Sequence, residues 1–241
     1  MIEVIGVKKY YGTTATGLEN ESVAISKGEI VGILGENGSG KTTLLKAIMG
    51  LCELNEGKVL IEGKPVKKMY GKMAFITCEG SFFPWMKPLE YGEFLSNTVP
   101  GFDMDKYTRF LKYFELDMKQ KIKNFSHGQK TKLEIAAGLC RGAEYILMDE
   151  PFTGKDMFTR RDFLKLMISS LKGNETILIA THLADEIENF IDRVIILRHG
   201  RIRADLQMDE IRMSDRDLKS VLMEITGYRE DNYKRIFTMR Q

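Results

Sequence analysis

Cysteine is scarce in this sequence, and the spacing of the few that occur excludes two kinds of cross-linked protein. Three cysteines are present among 241 residues, at positions 52, 78 and 140, and no two form a Cys-x-x-Cys pair. An odd number of widely separated cysteines fits neither a disulfide framework nor a structural zinc site. We therefore expect reduced thiols that pack in the core.

Long apolar runs are also missing. The longest ones, such as residues 194–197, fall far short of the roughly 20 apolar residues that a membrane-spanning helix needs. The opening residues, MIEVIGVKKYYG, contain no long apolar stretch and no small-residue cleavage site, so no secretory signal is predicted. We expect a cytoplasmic protein that does not cross a bilayer by itself.

Neither sign of charge is in excess. The 36 lysines and arginines nearly balance the 34 aspartates and glutamates. A protein that binds nucleic acid through bulk charge would carry a basic surplus, so we expect no nucleic-acid partner. Internal repeats and low-complexity tracts are absent as well. The length permits either a single α/β domain or two small ones, and we expect one domain with a subdomain.

Apolar runs rich in β-branched residues alternate with helical patterns along the chain. Strands are predicted at 29–34, 58–61, 73–77, 145–148, 176–180 and 194–197. Helices are predicted at 42–49, 130–140, 157–171 and 184–190. This alternation favours an α/β fold with a mostly parallel sheet covered on both faces, preceded by a short antiparallel β flank up to residue 27.

One stretch, residues 85–123, departs from the alternation. It shows no strand pattern, and its Met, Phe, Tyr and Leu residues recur at helical spacing. We predict a helical subdomain there, inserted between two parts of an α/β core at 1–84 and 124–241. Within the second part, residues 200–241 are predicted to form a strand, a charged helix at about 215–226 and a basic tail.

A glycine-rich motif follows the predicted strand at 29–34 and opens the next predicted helix. Gly35, Gly40, Lys41 and Thr42 have the spacing G-x-x-x-x-G-K-[ST] of a P-loop. Glycines let backbone N–H groups approach phosphate oxygens, the lysine supplies charge, and the Thr42 hydroxyl can bind Mg²⁺. A plain turn with a solvated lysine is disfavoured by this context. The residues predicted to contact a nucleotide here are Gly35, Asn37, Gly38, Ser39, Gly40, Lys41, Thr42 and Thr43.

Polar residues end two further predicted strands. Asp149 and Glu150 follow the strand at 145–148, and Thr181 and His182 follow the one at 176–180. Because ligands bind at the carboxyl edge of a parallel sheet, we assign Asp149 to the magnesium shell and Glu150 to the attacking water. His182 can donate a hydrogen bond to the γ-phosphate. Alone, an Asp-Glu pair at a strand end is more often a solvated turn; the P-loop upstream favours the catalytic interpretation, with Lys41 as the fourth catalytic residue. A lone histidine is more often structural, and the functional interpretation of His182 depends on the family resemblance that residues 125–129 carry.

The stretch Phe125-Ser126-His127-Gly128-Gln129 resembles the signature loop of the ABC ATPases, and the other motifs follow in that family's order along nearly the entire chain. The resemblance implies a P-loop NTPase core in which two cassettes pack head to tail. Ser126, Gly128 and Gln129 of one chain would then contact the nucleotide held by the other. It also implies that His182 is the switch histidine.

Two more positions are assigned by the same resemblance. Asp156 is similar to the D-loop aspartate at the dimer seam, and Tyr11 is similar to the aromatic residue that stacks on adenine. For Tyr11 a packing role on the β flank stays open, because Tyr10 is equally aromatic.

The sequence departs from the family pattern at three positions. His127 stands where relatives commonly carry glycine, and Lys155 replaces a usual leucine. The position that relatives fill with the Q-loop glutamine falls on Cys78, and a thiol is a poor ligand for a magnesium shell. Glu79 is next in line and can serve if the loop shifts by one residue, so we predict that Glu79→Ala impairs hydrolysis or coupling more than Cys78→Ala.

The resemblance implies an ATPase that uses ATP and Mg²⁺ to power a separate transmembrane permease from the inner face of the membrane. The second cassette could be identical or different, and the short helical insert resembles bacterial exporters. A soluble ABC ATPase of iron–sulfur cluster assembly is the alternative. Four aromatic residues near the insert could contact the permease or fill the insert's own core, and both interpretations stay open: Phe82, Phe83, Trp85 and Tyr91.

Overall fold

The computed structural model describes residues 1–12, 15–77, 79–151, 157–214 and 216–227. The predictions made for Cys78, Lys155 and Asp156 therefore fall outside the described residues, as does the tail after residue 227. The strands are β1 Ile2–Tyr11, β2 Ala15–Ile25, β3 Ile30–Leu34, β4 Glu56–Ile61, β5 Lys64–Pro65, β6 Met73–Ile76, β7 Tyr145–Asp149, β8 Thr176–Thr181, β9 Arg193–Arg198 and β10 Arg201–Gln207. The helices are α1 Lys41–Ile48, α2 Pro88–Thr98, α3 Met104–Tyr113, α4 His127–Leu139, α5 Met157–Ser169, α6 Ala184–Ile187, α7 Met208–Met213 and α8 Leu218–Thr226.

The larger sheet has the order β10-β9-β3-β8-β7-β6 and is parallel except for β10, which pairs antiparallel with β9. Its parallel strands are buried on both faces: in β7, Tyr145 and Leu147 pack into one core while Ile146 and Met148 pack into the other. Burial on both faces explains why these strands read as continuous apolar runs. The predicted α/β fold with a mostly parallel sheet is confirmed.

The smaller sheet is antiparallel, in the order β2-β1-β4-β5, and corrects two details of the prediction. The run at 58–61 is a strand, but it pairs with β1 and not within the parallel sheet. The flank is also larger than expected, since β1 and β2 span 10 and 11 residues. An apolar run alone does not encode which sheet it joins, because pairing depends on residues distant in the sequence.

Helix ends differ from the predicted ones mainly after β8. The helix predicted at 184–190 spans only Ala184–Ile187, and the one predicted at 215–226 begins at Leu218, where the Asp217 side chain accepts a hydrogen bond from the Ser220 amide. The short helix Met208–Met213 was not predicted. Local capping decides such ends, and the apolar periodicity used to predict them is insensitive to it.

Between residues 85 and 123 the described structure holds α2, α3 and a 3-10 turn at Ile122–Asn124, with no strand. The two helices pack so closely that a Cβ at Gly92 would lie 2.4 Å from the Tyr107 ring. Where a subdomain begins and ends remains a prediction. No helix among the described residues is long and apolar enough to span a bilayer. Cys140 is a buried free thiol and Cys52 a half-buried one.

Candidate functional site

Three neighbouring strands of the parallel sheet end at the same edge. Leu34, the last residue of β3, pairs with Thr181 of β8, and Asp149 of β7 pairs with Ala180 of β8. The P-loop, the acidic pair and His182 therefore leave the sheet side by side. This is the edge at which open α/β sheets bind ligands.

Glycine is required in the loop between β3 and α1 because other backbone groups approach it closely. A Cβ at Gly35 would lie 2.3 Å from the Leu197 carbonyl oxygen, and one at Gly40 would lie 2.5 Å from the Gly17 carbonyl oxygen. Gly40 also has a left-handed φ of 111° at the N-cap of α1, where no side chain caps the helix. The first N–H groups of α1 are thus left for a ligand, as in an anion site.

A cavity of about 340 Å³ lies over this loop. Its lining consists of Tyr11, Gly17, Asn37, Gly38, Gly40, Lys41, Thr42, Thr43 and Glu150. Tyr11 is 46% exposed, and its hydroxyl lies 3.5 Å from Thr43 Oγ1. Tyr10 does not line the cavity, so the aromatic ring available to a base is that of Tyr11.

Lys41 is the most buried charged residue of the loop, with 5% of its side chain exposed. Its Nζ donates to the Gly35 carbonyl at 2.8 Å and to the Glu36 carbonyl at 3.2 Å, and it lies 3.5 Å from Glu150 Oε1. The ammonium group is therefore held at the floor of the loop, where it can reach phosphate oxygens.

Glu150 connects the loop to His182. Its Oε2 accepts a hydrogen bond from Thr181 Oγ1 at 3.2 Å, and both carboxylate oxygens lie 3.1 Å from His182 Nδ1. The backbone at Glu150 has a φ of 47°, which is left-handed and costs a non-glycine residue about 1–3 kcal/mol. Strain of this kind is concentrated at functional sites.

Asp149 lies deeper than Glu150, with only 7% exposure. Burial raises the pKa of its carboxyl above the ordinary value, and the neighbouring Glu150 charge raises that pKa further, although the hydrogen bond with Thr42 lowers it. Among the described residues, Asp149 Oδ1 has no hydrogen-bond partner. A buried, unpaired carboxylate oxygen beside the Thr42 hydroxyl fits a Mg²⁺ ion, which takes few protein ligands and hard oxygen donors.

The residues of the signature-like loop lie at the start of α4. Ser126 Oγ accepts from the Gln129 amide at 3.2 Å, and Gln129 Oε1 accepts from the Ser126 amide at 2.9 Å, which forms a capping box. Ser126 and Gly128 are exposed, and a Cβ at Gly128 would meet nothing within 4 Å. The structure thus presents this helix end to solvent, accessible to a second chain.

Glu79 is exposed and follows β6, whose last residue pairs with Met148. The loop that carries Glu79 therefore begins level with Asp149, at the same edge of the sheet. Its comparison with Cys78 remains a prediction.

The four aromatic residues divide between the two roles left open by the sequence. Tyr91 is buried and donates a hydrogen bond to the Ser81 carbonyl at 2.9 Å, so it belongs to the core. Trp85 is 61% exposed, with its ring 5.3 Å from that of Phe83. Phe82 and Phe83 are half-buried against the core. Of the four, Trp85 exposes the largest fraction of its side chain for an external contact.

Two contributors were not assigned from the sequence. Thr181 binds Glu150, and Gly17 borders the cavity through its backbone. Thr181 directly follows the predicted strand at 176–180, beside His182 in the sequence, and that position is a signal that its hydroxyl belongs to the site. Gly17 lies in β2, far from the P-loop in sequence, and no local signal points to it.

Comparison with known proteins settles the family. A model of the ABC transporter family matches residues 18–153, which is more than half of the chain. The chain belongs to the ABC transporter family. It is an ATPase of the cassette type, and the predicted family and enzyme class are confirmed.

Curated relatives agree with this assignment. The ABC transporter ATP-binding protein YtrB of Bacillus subtilis (strain 168) is 30% identical over 81% of this chain and 68% of its own length. The aliphatic sulfonates import ATP-binding protein SsuB of Bacillus cereus (strain ATCC 10987 / NRS 248) is 32% identical over 81% of this chain and 80% of its own.

Solved structures show the same fold. One described as the ATP-binding subunit of an ABC transporter superposes with a TM-score of 0.80 at 27% identity, covering 94% of this chain and 99% of that one. A dimeric post-hydrolysis state of the cassette MJ0796 bound to ADP and Pi gives a TM-score of 0.77 at 26% identity, covering 86% and 99%.

Proposed function

We propose that this cassette binds ATP with Mg²⁺, pairs head to tail with a second cassette, and drives a separate transmembrane subunit by hydrolysis. The observation that carries the proposal is the position of Glu150, whose carboxylate lies within 3.5 Å of Lys41 Nζ and 3.1 Å of His182 Nδ1. One side chain thus connects the phosphate-binding lysine to the histidine at the end of the next strand.

Binding begins with an exchange of partners at Lys41. Its Nζ now interacts with two carbonyl oxygens and with Glu150. The β- and γ-phosphates together carry more negative charge than one carboxylate, so they replace Glu150 as the partner of the ammonium group. The adenine would stack on the exposed ring of Tyr11, beside Thr43.

Once released from Lys41, Glu150 is free to accept a proton from the attacking water, and His182 orients the γ-phosphate by a hydrogen bond. Asp149 and Thr42 would hold the magnesium ion, which supplies positive charge next to the transferred phosphoryl group. Glu79, if its loop approaches Asp149, would add a carboxylate to the outer shell of that ion.

The exposed end of α4 supports a dimeric arrangement. Ser126 and Gly128 are open to solvent at a helix N-terminus, a place suited to an anion. We assign them, together with Gln129 and with Asp156 at the seam, to the nucleotide held by the partner cassette. The MJ0796 structures, which are described as dimeric, are similar to this chain. The second cassette would be another copy or a homologous chain.

The transmembrane subunit is proposed from family membership, with Trp85 as a contact for it at the inner face of the membrane. We propose export as the direction of transport, because the short helical stretch at 85–123 resembles that of bacterial exporters. The likeness to SsuB, whose name refers to import, is the observation that favours the opposite direction. Co-purification from detergent-solubilised membranes tests the partner, since recovery of soluble proteins alone would contradict it.

A single substitution tests the chemistry. Glu150→Gln keeps the size and the hydrogen bond from Thr181 but removes the proton acceptor. We expect ATP binding close to that of the wild type, turnover reduced at least about a hundredfold, and a nucleotide-bound dimer in gel filtration. Wild-type turnover in this variant would refute the role of Glu150.

A further inference from the structure

A carboxylate outside the catalytic edge is buried in helix α4. Glu134 is only 6% exposed, whereas acidic side chains are almost never buried without partners. It belongs to none of the motifs that identify the family. Its presence inside an apolar helix face therefore requires a physical reason.

The partners that the described residues supply to Glu134 lie in the loop after β6. Its Oε1 accepts from the Thr77 amide at 3.2 Å and from Thr77 Oγ1 at 3.0 Å, and its Oε2 accepts from the Gly80 amide at 3.0 Å. Thr77 Oγ1 in turn accepts from the Glu79 amide at 3.2 Å. One carboxylate therefore holds Thr77 and Gly80, which lie before and after Glu79 in the loop.

Helix α4 also touches the end of β6 one turn further on. A Cβ at Gly138 would lie 2.4 Å from Ile76 Cγ1, so the helix backbone packs directly on the last residue of the strand. Ile76 pairs with Met148, and the loop consequently leaves the sheet level with Asp149. The contacts of Glu134 thus reach the edge where the metal and the attacking water are assigned.

The other end of the same helix is the signature-like loop. Ser126 precedes Glu134 by eight positions, which corresponds to about 12 Å along a helix axis. Glu134 and the helix N-terminus that we assign to the partner's nucleotide therefore lie on one continuous helical segment.

We propose that Glu134 is a positioning residue for ATP hydrolysis, whose buried carboxylate fastens the loop carrying Glu79 to the helix that begins after Ser126. Loop and helix then move as one unit. This inference rests on the proposed function, because it takes Glu79 and Ser126 to serve the two nucleotide sites of a cassette pair.

The test compares Glu134→Leu with Thr131→Val in the full chain. Leucine fits a buried helix position but removes all three loop contacts. The control removes a buried hydroxyl of the same helix, which among the described residues donates to the His127 carbonyl in the preceding turn and makes no hydrogen bond with the loop. For Glu134→Leu we expect kcat to fall about tenfold and the Mg²⁺ concentration that gives half-maximal ATPase activity to rise. The Kd for a fluorescent ATP analogue should stay within about twofold of the wild-type value. Thr131→Val should match wild type in all three.

Hydrogen exchange without nucleotide tests the contacts separately from activity. The Thr77 and Gly80 amides should be protected in wild type and in Thr131→Val, and should exchange faster in Glu134→Leu. Glu134→Gln can keep the acceptor for Thr77 but presents an NH₂ group to Gly80, so the Gly80 amide alone should lose protection and kcat should be intermediate. If Glu134→Leu fails to fold, Glu134→Gln decides the question.

Two outcomes would overturn the inference. One is an unchanged kcat and Mg²⁺ dependence in a Glu134 variant whose loop amides have lost protection. The other is a parallel loss of nucleotide binding, turnover and thermal stability, which would mean a structural role only. If the wild-type chain hydrolyses ATP in the same assay, either result leaves the proposed function intact. A wild-type chain without turnover would instead refute the proposed function and this inference with it.

Discussion

A substitution at Gly128, the exposed glycine of the signature-like loop, should lower the rate of ATP hydrolysis without lowering the stability of the fold. Gly128 is the second residue of α4, and a Cβ added there meets nothing within 4 Å of the same chain. Alanine is favoured over glycine by at most about 1 kcal/mol in a helix. Gly128→Ala should therefore leave the free energy of unfolding unchanged or raise it by up to that amount, without lowering the thermal midpoint.

In the head-to-tail pair, the same methyl group would lie between this helix end and the partner's γ-phosphate. We expect at least a tenfold fall in kcat, which corresponds to about 1.4 kcal/mol of transition-state stabilisation. Urea unfolding and steady-state ATPase rates over a range of protein concentrations measure the two effects.

Gly71→Ala is the matched control, because Gly71 also faces open space but lies in the 3-10 turn Tyr70–Lys72, outside every motif. Its unfolding free energy and its turnover should both stay close to those of the wild type. If Gly128→Ala hydrolyses ATP at the wild-type rate, or loses stability while Gly71→Ala does not, the assignment of this helix end to a partner's nucleotide is wrong.

Further predictions concern the phosphate loop and the buried acid. Gly40→Ala should lower the free energy of unfolding by roughly 2–4 kcal/mol, because the methyl group adds left-handed strain and overlaps with the Gly17 carbonyl oxygen. Gly38 faces open space, so Gly38→Ala should lower it by only about 1–2 kcal/mol. Equal losses in urea unfolding would argue against the close approach of Gly17 to Gly40. Because burial raises the pKa of Asp149, its contribution to stability is present below its unfolded pKa and lost as the pH rises through the raised value. Without Mg²⁺, Asp149→Asn should therefore gain stability over wild type as the pH rises, and a pH-independent difference would contradict this. Lys41→Ala should lose most of its affinity for a fluorescent ATP analogue, and unchanged binding would exclude the phosphate contact.

The parts of the site that could be predicted from the sequence are those whose residues are adjacent along the chain. The P-loop spacing fixes its own geometry, because a strand, a glycine turn and a helix N-terminus follow one another directly. Asp149 and Glu150 share one strand end in the same way. For these residues, the short-range pattern already contains the arrangement seen in the structure.

Contacts between distant segments could not be predicted in this way. Gly17 reaches the phosphate loop only because β2 crosses it, and the strand at 58–61 joins the antiparallel sheet only because β1 pairs with it. The left-handed φ of Glu150 is not visible in composition either. Each of these depends on register between elements that are far apart in the chain.

Glu134 shows why such a contact escapes a sequence pattern. In KLEIAAGL a single acid stands among apolar residues, a pattern typical of a helix with one solvated side, so the sequence offers no sign that Glu134 is buried. In the folded chain α4 is packed against β6, and a carboxylate at that position remains buried because Thr77 and Gly80 supply its donors. A buried carboxylate without those donors would be strongly destabilising, so the burial of Glu134 depends on the loop that supplies them.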